Sequence, residues 1–156
     1  MLDAYTKVTN TCVVVPAGNE AVSRTHFSGY AGVVPESRTM EINVEKRGKG
    51  FTTEIWAKSL DVLSISIISP TGEIIPRIPA RIGMSSEFAF LLENSRVYVD
   101  YQITESVAGQ EIIFLRFERP AEGLWRVPVY SLTNLPGYFN AVSYTHLRAH
   151  ETSLHL

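Results

Sequence analysis

The sequence predicts a mainly β protein, in which a jelly-roll or β-sandwich domain (residues 36–141) follows a short α/β fragment (residues 1–35). Two observations predict the sandwich: apolar and polar residues alternate with a period of two, and turn residues interrupt this alternation at regular intervals. A third predicts the fragment, because the continuous apolar segment 11–17 leads into a loop that contains glycine.

Eight segments of the predicted sandwich have the pattern of a strand. In the first, Met40, Ile42 and Val44 alternate with polar residues, as a half-buried strand requires. The charged residues 46–50 are interpreted as a solvated hairpin tip, and Ser-Pro-Thr-Gly at 69–72 as a turn. The predicted strands are 40–45, 51–58, 63–68, 74–82, 87–92, 96–104, 111–118 and 124–130. Most of their aromatic residues are expected to fill the core: Trp56, Phe90, Tyr98, Tyr101, Phe114, Phe117 and Trp125.

The first 35 residues have the pattern of a slice of an α/β domain. Residues 2–9 fit the last turns of a helix that ends near Asn10, and residues 11–17 fit a strand that is buried on both faces. Gly18 ends this strand, at a position where open α/β sheets place their active sites. A single strand with two apolar faces has no covering layer of its own, so we expect it to belong to a larger domain.

Composition narrows the classes of function. The 156 residues include 14 basic and 16 acidic side chains, a formal net charge of −2, which gives no electrostatic basis for binding nucleic acid or an anionic membrane. No apolar run approaches the roughly 20 residues that cross a bilayer. Cys12 is the single cysteine, which excludes an internal disulfide framework and a multi-cysteine zinc site. We therefore expect no cofactor, no metal ion, and neither nucleic acid nor a membrane as partner.

The C-terminal residues have an unusual pattern. Residues 142–152, Val-Ser-Tyr-Thr-His-Leu-Arg-Ala-His-Glu-Thr, resemble the translation of a transposase sequencing adapter. His146 and His150 have the spacing of a helical metal site, but a zinc-protease helix needs glutamate directly after its first histidine, where Leu147 stands. We predict that residues 142–156 form a disordered tail or a frayed helix without metal chemistry.

The segment with a chemical signature is residues 13–20, Val-Val-Val-Pro-Ala-Gly-Asn-Glu. It resembles the oxyanion-hole segment of subtilisin-like serine proteases, in which a buried strand precedes Ala-Gly-Asn and an acidic residue. Negative charge builds on the carbonyl oxygen during attack on a peptide bond, and a preorganised N–H stabilises it in the transition state. The resemblance implies that Asn19 is this donor. The residues alone leave a second interpretation open, in which Asn19 is an ordinary turn residue.

The resemblance also implies what the chain lacks. In this family the catalytic residues run Asp, His, Ser, and the first two precede the oxyanion strand, whereas nothing precedes Met1 here. Residues 83–86, Gly-Met-Ser-Ser, are a poor match to the serine segment Gly-Thr-Ser-x-x-x-Pro, because a strand pattern without proline follows them. His26 follows the oxyanion strand and is rejected as the base. We predict that this polypeptide alone hydrolyses no peptide bond.

A whole β-domain follows Asn19 before any serine segment. This order resembles the clostridial Csp-type subtilisin-like proteases, which process germination enzymes in spores and carry a jelly-roll domain between the asparagine and the serine. Residues 67–72 and 123–129 resemble strands of that insert, and residues 137–141 resemble its return to the protease domain. The resemblance implies a protein or peptide substrate for the full-length parent, and a spore-associated, cytoplasmic or secreted location.

Two other interpretations stay open. The Pro-Thr-Gly turn and the Gly-x-Trp strand are also similar to the P domain of some subtilisin-like proteases, which suggests a β-sandwich module that binds carbohydrate or a protein partner. The order of segments argues against a P domain, which comes after the serine. In the third interpretation the insert only braces its parent through buried apolar area.

Overall fold

The computed structural model describes residues 26–48, 50–58, 61–103 and 109–144. Within these ranges the chain forms ten strands and no helix, which confirms the prediction of a mainly β protein. The described part accordingly contains no helix long and apolar enough to cross a membrane. The strands are β1 His26–Val33, β2 Arg38–Val44, β3 Gly50–Lys58, β4 Leu63–Ile68, β5 Ile74–Ile78, β6 Ser85–Phe90, β7 Ser95–Ile103, β8 Gln110–Glu118, β9 Gly123–Ser131 and β10 Gly137–Tyr144.

The strands form one continuous sheet that folds back on itself. Its order is β5-β4-β9-β1-β10-β3-β8-β7-β6, and β2 pairs with β9 beside this path. Strand β1 joins the two halves, because residues 26–31 pair antiparallel with β10 and residues 32–33 pair parallel with residues 130–131 of β9. At the opposite margin Ile82 forms a parallel bridge with Tyr101 of β7. One core therefore lies between the two halves.

Period-two alternation places the apolar residues in this core. In β3, Ile55 and Ala57 point inward and are buried. The largest core side chain is Trp125, whose ring meets Phe90 and Phe117 edge to face at centroid distances of 5.0 and 5.3 Å. Each such ring contributes about 1.5–3 kcal/mol to the free energy of unfolding through burial. The rings thus hold β6 and β8 of one half against β9 of the other.

All eight predicted strands are present, with shifted ends. The largest shift is in β5, which ends at Ile78 although the alternation predicts a strand to residue 82. Pro79 has no N–H to donate to a ladder hydrogen bond, so the chain leaves the sheet there.

The aromatic residues that the sequence predicts in the core divide into two groups. The core contains Phe90, Tyr101, Phe117 and Trp125. The outer face of the sheet carries, half-buried, Trp56, Tyr98 and Phe114. The prediction of core filling for most of these rings is thus confirmed.

Strands β1 and β10 have no counterpart among the predicted strands, and they pair with each other. The sheet includes residues 26–33, which the sequence analysis assigned to the α/β fragment, and residues 142–144, which it assigned to the tail. Main-chain ladder bonds do not depend on side-chain identity, so segments with a weak strand pattern can be recruited by a partner. The predicted helix at 2–9 and the predicted strand at 11–17 lie outside the described residues, and the division of the chain at residues 35 and 141 stays a prediction.

Candidate functional site

Asn19, the predicted oxyanion-hole donor, lies outside the described residues, and its role stays a prediction. Two residues that the sequence analysis rejected as triad members are described. His26 is exposed at the start of β1, and its side chain forms no hydrogen bond within the described ranges. Ser85 is exposed at the start of β6, which is a strand and not the first turn of a helix. Neither belongs to a nucleophile–base pair in the described part of the chain.

The two ends of the described domain lie side by side. In the antiparallel ladder of β1 and β10, His26 is the partner of Val142, and Phe27 is the partner of Ala141. Directly opposed residues in such a ladder are about 5 Å apart between Cα atoms. The first and last described residues therefore lie close together, and adjacent ends are the geometry that tolerates insertion into another domain.

One end of the domain is held together by the side chain of Glu93, which is buried. Its Oε1 accepts hydrogen bonds from the hydroxyl of Thr71 at 2.6 Å and from the main-chain N–H of Thr71 at 3.2 Å. The main-chain carbonyl of Glu93 accepts a bond from the Arg47 guanidinium at 2.7 Å. The sequence predicted a solvated hairpin tip at 46–50, but β2 pairs with β9 and β3 pairs with β10 and β8, so this connection is not a hairpin. Through Arg47 it is tied to the connection that contains Glu93.

The hydrogen bonds at this end stabilise the ionised form of Glu93. Burial raises the pKa of Glu93, but hydrogen bonds from Ser69 and Thr71 outweigh burial and hold that pKa below its ordinary value. Glu73 adds two bonds across the same end, from the N–H groups of Leu91 and Leu92, each at 3.2 Å. These carboxylates fix the loops. Within the described ranges, no group of three His, Cys, Asp or Glu residues is placed to hold a metal ion.

A carboxylate also lies inside the core, towards the opposite end. Glu111 is the partner of Ala57 in the β8–β3 ladder, on the inward face, and only 4% of it is exposed. Its Oε2 accepts a hydrogen bond from the N–H of Leu63 at 2.9 Å. Burial raises the pKa of Glu111 to about 7; the bond from Leu63 opposes this increase, and the charge of Asp61 adds to it. The carboxyl group of Glu111 therefore changes from protonated to ionised near neutral pH.

A pocket of about 300 Å³ opens at the margin between β5 and β6. Its apolar lining includes Ile75, Ile78, Met84 and Phe88. Tyr101 also lines it; this side chain is buried and donates from its hydroxyl to the carbonyl of Ile78 at 3.1 Å. This combination is suited to binding an apolar group and offers no activated nucleophile.

The outer face of the sheet carries exposed rings. Tyr30 and Tyr138 are partners in the β1–β10 ladder and meet edge to face, with ring centroids 5.2 Å apart. Tyr30 is 65% exposed. On the same face, the guanidinium of Arg116 lies over the ring of Tyr98 at 4.3 Å. This outer face is therefore amphipathic and exposes aromatic rings on β1 and β10.

Comparison with known proteins identifies this arrangement of strands. The structure is similar to that of the CspB protease of Clostridium perfringens, with a TM-score of 0.73 and 23% sequence identity. The fold is that of a region of a clostridial protease. The similarity covers 91% of this chain but 30% of the CspB chain, so this chain spans less than a third of that protease. A scan of protein-family models finds no match, and a search of curated proteins finds none that is significant.

The sequence pattern reveals the segment around Asn19 but not the features that the fold creates. The inward position of Glu111 is visible only as a polar residue next to the apolar residues 112–115, where a one-residue difference in register decides which face it occupies. The pocket has no sequence signal, because β5 and β6 become its two walls only when the sheet folds back on itself. The adjacency of His26 and Val142 is likewise a tertiary result.

Proposed function

We propose that this chain is part of a subtilisin-like serine endopeptidase, and that its β-domain is inserted between Asn19 and the nucleophilic serine of the full-length parent. The observation that carries the proposal is the ladder pairing of Phe27 with Ala141, the last residue before the adapter-like segment, which brings the two ends of a CspB-like domain together. A domain with adjacent ends can interrupt a host chain without separating the host residues on either side. The resemblance of residues 13–20 to an oxyanion-hole segment supplies the identity of the host.

In this proposal the chain contributes electrostatic stabilisation to peptide hydrolysis. The side-chain N–H of Asn19 donates to the carbonyl oxygen as serine attack makes it negative, and it donates more strongly to the transition state than to the substrate. The aspartate, histidine and serine come from parent segments on either side of this chain. The polypeptide alone therefore has a donor but no nucleophile, and it forms no acyl-enzyme.

Substitution of Asn19 in the reassembled parent tests this role. Asn19→Ala should lower kcat by about 10²–10³-fold with little change in KM, because the donor acts in the transition state; this magnitude is itself that of a subtilisin donor. The matched control is Asn43→Ala on the exposed face of β2, which should leave kcat unchanged. Equal kcat values for wild type and Asn19→Ala would remove Asn19 from the mechanism.

The parent gene and the isolated chain provide two further checks. The flanking sequence should contain Asp and His segments upstream and a Gly-Thr-Ser segment downstream, and their absence would defeat the assignment as an active protease. The purified 156-residue chain should not cleave a fluorogenic casein substrate. Activity that a serine-directed inhibitor abolishes would contradict the proposed division of catalytic residues.

One observation favours a second function, binding of carbohydrate by the sandwich. Tyr30 and Tyr138 form an exposed ring pair on the outer face, and aromatic rings with an apolar face and a polar tip are suited to wet interfaces. A glycan array probed with the chain and with Tyr30→Ala would detect it. Binding that Tyr30→Ala abolishes would support this function, and an array without signal would leave bracing of the parent as the role of the domain.

A further inference from the structure

We propose that the margin between β5 and β6 binds an extended peptide that carries an apolar side chain and a carboxylate on the same face. Strands β5 and β6 are the two ends of the sheet order, so each has one edge without a partner strand in the described part of the chain. This site is separate from the proposed catalytic role of Asn19 and does not depend on it.

The margin is held open as a defined groove. At one end, Glu73 bridges the halves by accepting the N–H groups of Leu91 and Leu92. At the other end, Tyr101 bridges them by donating to the carbonyl of Ile78. The pocket lies at this margin, where no strand pair closes the gap between β5 and β6. A groove fixed at both ends does not need to form when a ligand arrives, which lowers the free-energy cost of binding.

The size of the pocket selects a side chain and not a large cofactor. At about 300 Å³ it is at the lower limit of small-molecule sites, which range from roughly 300 to 1,000 Å³. Ile75, Phe88 and Met84 are three of its apolar lining residues. Met84 is 51% exposed, and its flexible thioether can adapt to side chains of different shape. One leucine-sized or phenylalanine-sized group therefore fits this lining.

The positive charge of the pocket lining favours a ligand with a carboxylate. Arg77 and Arg81 both line the pocket, and both are exposed. Neither guanidinium has an ion pair or a side-chain hydrogen bond within the described ranges, and no acidic residue lines the pocket there. The nearby Glu87 is on the outer face and is paired with Arg96 at 3.1 Å. A guanidinium prefers a bidentate carboxylate, so the two arginines complement an acidic ligand.

The free edge of β6 selects an extended main chain. An edge strand exposes N–H and C=O groups that a peptide can pair with as an added strand. Strand β5 is the poorer edge, because Pro76 has no N–H to donate. A peptide added to β6 would direct alternate side chains to one face, so its apolar and acidic residues should be two positions apart.

The test is binding of the full 156-residue chain to a fluorescein-labelled pool of ten-residue peptides, measured by anisotropy. Every peptide has a random apolar residue followed two positions later by aspartate, and a matched pool has asparagine instead. The aspartate pool should bind at least about 10-fold more tightly than the asparagine pool, as expected for bidentate, charge-assisted hydrogen bonds from the arginines. Methylation of alternate peptide N–H groups should weaken binding, because it blocks pairing with β6.

Variants locate the site. Arg77→Glu combined with Arg81→Glu should weaken binding of the aspartate pool at least about 10-fold, and Met84→Trp, which fills the pocket, should weaken binding of both pools. The control Arg126→Glu, on an exposed position of β9, should have no effect. The proposal is overturned if neither pool binds, if both pools bind equally, or if millimolar inorganic phosphate displaces the peptides, which would indicate a simple anion site.

Discussion

Glu111 accepts a hydrogen bond from the main-chain N–H of Leu63 across 2.9 Å, from a position inside the core. This bond joins β8 of one half of the sheet to the first residue of β4 in the other half. A buried carboxyl satisfies that N–H whether or not it is ionised, but only the neutral form avoids the cost of a buried charge.

The pKa of Glu111 makes stability depend on pH. Because the pKa in the folded state is raised from 4.5 to about 7, the folded state holds a proton that the unfolded state has already lost between these values. The free energy of unfolding should therefore fall as pH rises through this window, by up to about 3 kcal/mol. Glu111→Gln keeps an acceptor for Leu63 without ionising, so urea denaturation at pH 5 and pH 8 should show a smaller decrease for this variant.

The exposed Glu41→Gln, on β2, is the control for this titration. Between pH 5 and pH 8 the free energy of unfolding of Glu41→Gln should fall by as much as that of the wild type. If Glu111→Gln and the wild type lose the same free energy between pH 5 and pH 8, then Glu111 does not titrate in this range.

The hydrogen bond between Thr71 and Glu93 should depend on pH in the sense opposite to Glu111: it should stabilise the fold less in acid. Thr71→Val removes the hydroxyl donor at 2.6 Å from Glu93 Oε1, at a cost of about 1–3 kcal/mol near neutral pH, since the bond is to a charged group. The pKa of Glu93 is lowered in the folded state, so its stabilisation is present above the ordinary pKa and is lost as pH falls below it. The cost of Thr71→Val in chemical denaturation should therefore shrink in acid.

Thr39→Val on β2 is the matched change for Thr71→Val, because the Thr39 hydroxyl has no partner within the described ranges. It should alter the free energy of unfolding by less than about 0.5 kcal/mol. If Thr71→Val lowers the free energy of unfolding by the same amount at neutral and acid pH, then the stabilisation by the Thr71 hydroxyl does not depend on ionised Glu93.

Two glycines near the β2–β3 turn should differ in their tolerance of a side chain. Gly50 has φ +134°, and a Cβ there would collide with the carbonyl oxygen of Phe117 in the neighbouring strand. Gly48→Ala would bring its Cβ no nearer than 3.8 Å to the Lys46 carbonyl. Thermal denaturation should show that Gly50→Ala costs at least about 2 kcal/mol and Gly48→Ala less than about 1. Equal melting temperatures would contradict the turn geometry.

The two tryptophans should contribute unequally to stability. Trp125 is buried, and its Nε1 donates to the carbonyl of Ala121 at 3.0 Å, so Trp125→Phe leaves both a cavity and an unpaired carbonyl. We expect a loss of about 2–4 kcal/mol in guanidinium denaturation, against less than about 1 for Trp56→Phe on the outer face. The emission of Trp56→Phe, which retains only Trp125, should be blue-shifted, and a solvent-exposed spectrum would place Trp125 outside the core.

The sequence predicted strands well where the local pattern is strong. Alternation around Met40 and Ile55 located β2 and β3, because half-buried strands need one apolar face. The predicted site is a different case: the motif around Asn19 has a chemical meaning only within a host domain, and it lies outside the described residues. The pocket at Arg77 and Arg81 had no pattern to detect, since its walls are distant in the sequence.

By itself, the sequence determined the mainly β class, the positions of β2 to β9 and most of the aromatic core, because each depends on the period of side chains along one strand. Only the tertiary structure decided that β1 and β10 pair, that Glu111 faces the core, and that β5 and β6 leave an open margin. These features depend on register and on contacts between segments far apart in the chain, and a register shift of one residue changes the face of every side chain. Local patterns carry little information about such long-range choices.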